Sequence, residues 1–132
     1  MRVGLNLPQW GPGVAATEIS GFARDVEVLG YESLWVADRL LAPVEPVLLY
    51  PDGGTPEEPY PAPFKAVLDP IVLLTVAASS TQTLRLGSGT VNAPWYNPVL
   101  LARALTALDE VSGGRLDVGF GIGWSPDEYA AA

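Results

Sequence analysis

Residues 33–38, Ser33-Leu34-Trp35-Val36-Ala37-Asp38, decide the fold class of this chain. The run is apolar without alternation and has the length of a strand, which is typical of a parallel strand covered on both faces. Upstream, apolar residues recur at helical spacing from Ile19 to Leu29, and Gly30 supplies a stop. Thr17 is the predicted N-cap of this helix. A helix leading into a buried strand is the repeating unit of an α/β protein.

The same unit recurs on both sides of this strand. Asp69-Pro70 and Asn97-Pro98 each combine a capping side chain with a proline in the first helical turn, and both predict helix starts. Ser125 and Glu128 have the spacing of a capping box and predict the start of a fourth helix. The remaining predicted strands are residues 3–7, 84–91 and 115–121, and the third predicted helix ends at Gly113-Gly114.

Strands that alternate with helices are parallel and are joined by right-handed crossovers. Two architectures remain, an open doubly wound sheet and a closed barrel of eight units. In both, functional residues lie at the carboxyl ends of the strands. This rule directs attention to residues 8–10, 38–39, 89–94 and 121–124.

Residues 40–68 form the one stretch without periodicity, and they contain seven prolines and an Asp52-Gly53-Gly54 turn signal. The length of this loop and its position directly after a strand end indicate a lid that covers a functional site. The alternative is a surface excursion stiffened by proline.

Composition excludes several classes of function. The formal charge is −8 and the chain has no cluster of Lys and Arg, so nucleic acid and anionic membrane surfaces are not expected partners. Without Cys or His, the chain has no disulfide, no thiolate nucleophile and no predicted metal site. The apolar runs are too short to cross a bilayer, and a cytoplasmic protein is expected.

Few residues at the strand ends can carry chemistry. Asp38 could contact a ligand ring or transfer a proton, or it could cap backbone or pair with Arg39. The glycines of Gly87-Ser88-Gly89 either allow a flat ligand to approach or form an ordinary bulge. Aromatic residues that lie beyond strand ends could converge on one apolar pocket or serve only in packing: Trp10, Trp95, Tyr96 and Trp124.

An ordered set of motifs resembles the luciferase-like monooxygenase superfamily, and within it the branch that uses coenzyme F420. The resemblance covers nearly the whole chain and rests on residues 3–8, 33–39, 84–89, 97–102, 112–116 and 119–124.

The resemblance implies a (β/α)8 barrel that binds coenzyme F420, or alternatively flavin mononucleotide (FMN), and oxidises or reduces a small organic substrate by hydride transfer or oxygenation. It implies a non-proline cis peptide at Gly89-Thr90 and catalytic positions at Asp38 and Arg39, where relatives commonly carry His in place of the arginine. The cofactor positions that it implies are Asp38, Gly89, Thr90, Asn92, Gly121, Ile122, Gly123, Trp124 and Asp127.

Four strands with three helices and the start of a fourth amount to the N-terminal half of such a barrel. We therefore expect residues 1–132 to be a single incomplete domain. The rival hypothesis is a non-catalytic half-barrel that associates through its open strand edges, in which case a homo-oligomer is expected.

Overall fold

The computed structural model describes residues 1–132, apart from the side chain of residue 16. It contains one sheet of four parallel strands. The strands and helices alternate in chain order: β1 (Gly4–Asn6), α1 (Ile19–Val28), β2 (Ser33–Val36), α2 (Pro70–Ser80), β3 (Arg85–Asn92), α3 (Pro98–Ser112), β4 (Leu116–Gly121) and α4 (Pro126–Ala131).

The strand order distinguishes the two architectures that the sequence allows. The strands lie side by side in the order β1-β2-β3-β4. A doubly wound sheet reverses its strand order at a switch point and carries helices on both faces, whereas a barrel adds each strand next to the previous one. Here α1 contacts α2 and α2 contacts α3, so the helices form one layer. The observed part of the fold is therefore of the barrel type, as expected.

The core lies between this helical layer and one face of the sheet. Leu34 and Leu86 are adjacent in register on β2 and β3, and both are fully buried. Helix residues Ile19, Leu74 and Leu108 belong to the same apolar cluster. The opposite face of the sheet carries Asn6, Trp35 and Gly89, which line a separate cavity.

The Asx-Pro helix starts form as predicted. The Asp69 carboxylate accepts a hydrogen bond from the Val72 amide at 2.9 Å, and the Asn97 side chain accepts from Val99 and Leu100. At the far end of α3, Gly113 adopts φ +71°, a left-handed conformation that favours glycine.

Of two other predicted caps, Thr17 is wrong, whereas Ser125 is right in position but does not make the predicted capping box. Thr17 lies inside a short 3-10 turn, Ala16–Glu18, and α1 begins only at Ile19. Ser125 occupies the N-cap of α4, but its hydroxyl makes no capping hydrogen bond, and Glu128 does not turn back towards it. The Glu128 carboxylate instead accepts hydrogen bonds from residues that follow β2, because burial with a cation outweighs a local cap.

Arg115 joins the carboxyl ends of α2 and α3. Its guanidinium donates to the backbone carbonyls of Ala78, Thr81, Leu84 and Ser112, all of which lie at or after the ends of these helices. A fixed cation is favourable there because helix carbonyls carry the negative end of the dipole. Within the described residues, no helix is long and apolar enough to cross a membrane.

Candidate functional site at the carboxyl ends of the strands

A cavity of about 220 Å³ opens at the carboxyl ends of the strands. Of the residues predicted for the site, it is lined by Asp38, Arg39, Gly89, Thr90, Asn92, Gly123 and Trp124. The remaining three predicted positions, Gly121, Ile122 and Asp127, are not among its lining residues. A second cavity of about 180 Å³ adjoins it and shares Trp10, Ala37 and Gly89.

The floor of the cavity is an irregularity in β3. The peptide between Gly89 and Thr90 is cis, and the pairing with β4 shifts register between Gly89 and Val91. Thr90 thereby leaves the regular ladder and becomes a lining residue. A Cβ at Gly121 would collide with the Thr90 hydroxyl and lie 2.8 Å from the Asn92 Oδ1 atom. The absence of a side chain at Gly121 therefore leaves room for the Thr90 and Asn92 side chains at the bulge.

Gly87 has a packing role. A Cβ at this position would lie within 2.5 Å of the Trp35 ring, which covers the strand from the neighbouring β2. The sequence allows either ligand approach or an ordinary bulge at Gly87-Ser88-Gly89. The structure places a bulge directly after Gly89, whereas Gly87 serves close packing against Trp35. Gly89 lines the cavity and has no such obstruction, since the nearest atom to an added Cβ is 3.9 Å away.

Asp38 is held in the cavity wall by donors from the next unit of the fold. Its side chain accepts hydrogen bonds from the backbone amide of Asn92 at 2.9 Å and from the Tyr96 hydroxyl at 3.1 Å. Asp38 is only 6% exposed. Burial raises the pKa of its carboxyl above the ordinary value, although both hydrogen bonds act in the opposite direction. Burial and the neighbouring carboxylate raise the pKa of Tyr96, which therefore remains a donor.

Arg39 does not pair with Asp38. Its Nε atom donates to the Glu128 carboxylate at 3.0 Å, and both side chains are buried, at 6% and 0% exposure. The guanidinium carbon lies 5.2 to 5.6 Å from the ring centres of Tyr50, Tyr60 and Trp124, within the range of cation–π attraction.

The loop of residues 40–68 completes an aromatic wall. Phe64 stacks on Tyr50 at 4.3 Å and meets Trp10 edge-on at 5.3 Å, and Tyr60 stacks on Trp124 at 6.2 Å. Of the four aromatic residues that the sequence allows either to converge or only to pack, Trp10, Trp95 and Trp124 line one cavity. Tyr96 is not among the lining residues and contacts the site through its hydrogen bond to Asp38. The loop contains one further short element, the 3-10 turn Ala62–Lys65.

The loop is fastened at its beginning, middle and end. Glu128 accepts from the Leu40 amide at 2.8 Å, and Asp127 accepts from the Val47 amide at 3.1 Å. At the far end, Val67 forms an antiparallel bridge with Trp10. Asp127 thus contacts the loop in this structure, and its predicted contact with a cofactor stays a prediction.

Gln9 is a site residue that sequence reasoning located without assigning it a role. It is 1% exposed, donates to the carbonyls of Ala37 and Leu68 at 2.6 and 2.8 Å, and accepts from the Ala37 amide at 2.8 Å. Gln9 therefore joins the end of β1 to the end of β2 and to the end of the loop. The other residues that were missed are Tyr50, Tyr60 and Phe64, which no periodic or capping signal marks. Glu128 was predicted to cap α4 and instead contacts the residues that follow β2.

Parallel strands in barrel order, with a polar and aromatic cavity at their carboxyl ends, are the architecture of an α/β barrel, a fold whose ligand sites lie at this face. The chain belongs to the luciferase-like monooxygenase family, whose sequence model matches residues 2–132.

Solved structures share the fold of this chain. The monooxygenase RslO1 from Streptomyces bottropensis is 31% identical, with a TM-score of 0.72 over 99% of this chain and 36% of that chain. The oxygenating constituent of 3,6-diketocamphane monooxygenase from Pseudomonas putida, in complex with FMN, has a TM-score of 0.73 at 18% identity, over 99% of this chain and 32% of that chain.

The coenzyme F420-dependent tetrahydromethanopterin reductase from Methanopyrus kandleri has a TM-score of 0.64 at 24% identity, over 93% of this chain and 27% of that chain. The chain spans about a third of the length of each of the first two structures and 37% of the curated mycobacterial proteins that it matches at 32% identity.

Proposed function

We propose that this protein is an oxidoreductase that uses coenzyme F420, with FMN as the competing cofactor, to oxidise, reduce or oxygenate a small organic substrate. The observation that supports the proposal most directly is the meeting of buried Asp38 with the Gly89–Thr90 bend and three tryptophans in one cavity. Relatives with either cofactor share the fold.

The lining residues suit the ring of such a cofactor. Tryptophan and tyrosine side chains offer flat apolar surfaces on which an aromatic ring can stack. Two buried donor atoms in this wall, Arg39 Nη1 and Trp95 Nε1, have no hydrogen-bond partner in the protein. Buried donors without acceptors are costly, and the carbonyl groups of a flavin or deazaflavin ring are acceptors of the right kind.

When bound, the cofactor supplies hydride transfer or, for FMN, activation of oxygen. The protein residues bind and orient it. Asp38 either accepts a hydrogen bond or, when protonated, donates one, and its raised pKa extends the range in which it is neutral. Arg39 is a buried cation that lines the cavity, and its Nη1 atom is the donor that a ring oxygen would meet.

The cavity also indicates how much of the cofactor these residues can hold. Its volume of about 220 Å³ is below the range of roughly 300 to 1,000 Å³ that is typical of small-molecule sites. In barrels of this kind, phosphate is usually bound by the loops after strands seven and eight. We therefore assign ring contacts to this chain and leave the phosphate tail to other parts of the barrel.

Fluorescence titration of the full-length protein with coenzyme F420 and, separately, with FMN tests the proposal. Asp38→Asn should weaken binding of the preferred cofactor, whereas Asp25→Asn, on the exposed face of α1, should not. Competition between the two cofactors decides which is preferred. Failure of the wild-type protein to bind either would refute the proposed function.

The rival hypothesis of association through open strand edges has one supporting observation. β1 and β4 are the edge strands of the sheet, and Phe120 on β4 is 59% exposed. Exposed strand edges pair with other chains unless they are covered. Measuring the mass of the protein in solution discriminates, since a monomer would contradict this hypothesis.

A further inference from the structure

Glu128 is the most deeply buried acid near the candidate site, and the proposed function does not use it. Its side chain is 0% exposed, and it lies on α4, directly after the loop that follows β4. All three of its partners follow β2 in the sequence, so Glu128 links the fourth unit of the barrel to the second.

The first role of this carboxylate is towards the backbone. Its Oε1 atom accepts from the amides of Leu40 and Leu41, at 2.8 and 3.4 Å. These two residues begin the loop of residues 40–68. A carboxylate that accepts buried backbone N–H groups fixes the direction of the chain at that point.

The second role is towards Arg39. The same Oε1 atom accepts from Arg39 Nε, while Arg39 Nη2 donates to the Leu41 carbonyl and to the Tyr60 hydroxyl. Only Nη1 is left without a partner. Glu128 thus occupies Nε, while the Leu41 carbonyl and Tyr60 occupy Nη2, which leaves Nη1 available to a ligand.

We propose that Glu128 is a positioning residue that acts through Arg39 and the loop of residues 40–68. It fixes the beginning of this loop, which supplies Tyr50 to the cavity lining, and it orients Arg39 so that Nη1 alone is free. The part concerning Arg39 rests on the proposed function, whereas the part concerning the loop does not.

Two substitutions separate these roles. Glu128→Ala removes both the charge and the acceptor. Glu128→Gln keeps an acceptor oxygen for the Leu40 and Leu41 amides but leaves Arg39 as a buried cation without its counter-ion, a situation that proteins avoid. Glu110→Ala and Glu110→Gln, on the exposed face of α3, are matched controls.

The first measurement needs no cofactor. Lys65 lies in the loop with a side chain that is 53% exposed, so trypsin cleavage after it reports on opening of the loop. In the full-length protein, Glu128→Ala should accelerate this cleavage at least about tenfold. This factor corresponds to the free energy lost from the closed loop when strong charge-assisted hydrogen bonds are removed. Glu128→Gln should stay within about threefold of wild type, because the backbone contacts can persist.

The second measurement is the dissociation constant of whichever cofactor the wild-type protein binds. Both Glu128 variants should weaken it by roughly tenfold, because both leave Arg39 without its counter-ion. Both Glu110 variants should leave it unchanged. Faster cleavage of the loop without a change in cofactor affinity would overturn the Arg39 part alone. If the wild-type protein binds no cofactor, the proposed function is refuted, while the cleavage result still tests the part concerning the loop.

Cleavage of Glu128→Ala at the wild-type rate would overturn the proposal for the loop. Cleavage of Glu128→Gln as fast as that of Glu128→Ala would overturn the separation of the two roles. If Glu128→Ala fails to fold, amide hydrogen exchange in wild type replaces it. The Leu40 amide should then exchange more slowly than the amide of exposed Val44, and equal rates would overturn the proposal.

Discussion

Replacing Gln9 by leucine should destabilise the protein strongly, even though the change makes a buried residue more apolar. Gln9 makes three hydrogen bonds to backbone groups, two with Ala37 and one with Leu68. Leucine has a similar size but neither donates nor accepts. After the substitution, these backbone groups remain in an environment from which water is excluded.

The expected cost follows from these contacts. A buried polar group that loses its partner costs about 1 to 3 kcal/mol, and losses within one network are not additive. Two carbonyls and one amide are affected, partly offset by the apolar gain of leucine. We expect a net loss of about 2 to 5 kcal/mol, which is a large fraction of the roughly 5 to 15 kcal/mol that stabilises a typical domain.

Urea unfolding of the full-length protein, followed by tryptophan fluorescence, measures this free energy. The matched control is Gln82→Leu, since the Gln82 side chain is exposed. If Gln9→Leu and Gln82→Leu differ by less than about 0.5 kcal/mol, the ordinary scatter of surface substitutions, then Gln9 does not join the two strand ends and the reasoning is wrong.

Three further predictions concern the cavity and its support. Because burial raises the Asp38 pKa, the folded protein binds this proton more tightly than the unfolded chain does. The contribution of Asp38 to the free energy of unfolding therefore falls as pH rises from 3.8, the ordinary pKa of an aspartate, through the raised pKa. Asp38→Asn should lose this slope, as measured by thermal unfolding at several pH values, and an unchanged slope would contradict the assignment. Gly87→Ala should cost about 1 to 3 kcal/mol in urea unfolding because its Cβ meets the Trp35 ring, while Gly21→Ala, with open space in α1, should be neutral or stabilising. Arg115→Met should lower the free energy of unfolding by about 2 to 4 kcal/mol, since four carbonyls lose a charged donor, and a loss below about 0.5 kcal/mol would count against that role.

Features that depend on neighbouring residues were predictable from the sequence. The Asx-Pro pairs at Asp69 and Asn97 cap helices because the donor amides lie two or three residues further along the chain. The apolar run before Asp38 predicts a buried parallel strand for a similarly local reason. With the rule that parallel strands present function at their carboxyl ends, these signals were enough to place Asp38 beside the cavity.

Features that depend on distant partners were not predictable. Ser125 and Glu128 have the spacing of a capping box, yet Glu128 binds residues 87 to 89 positions earlier in the chain. Gln9 contacts groups 28 and 59 positions away. The periodicity of apolar residues does not indicate contacts between residues so far apart in the sequence. Polar residues of this kind connect one barrel unit to another, so their roles appear only when the units are packed.

The electrostatics of the cavity wall explain why these connections matter for a ligand. Asp38 lines the cavity and Glu128 does not, so Asp38 is the acid that a ligand meets. The negative charges of Asp69 and Glu128 add to burial in raising the Asp38 pKa. An anionic group would therefore be opposed here unless Asp38 is protonated or Arg39 is close enough to compensate. Since Glu128 fixes the position of Arg39, it also controls how much negative charge this wall can tolerate.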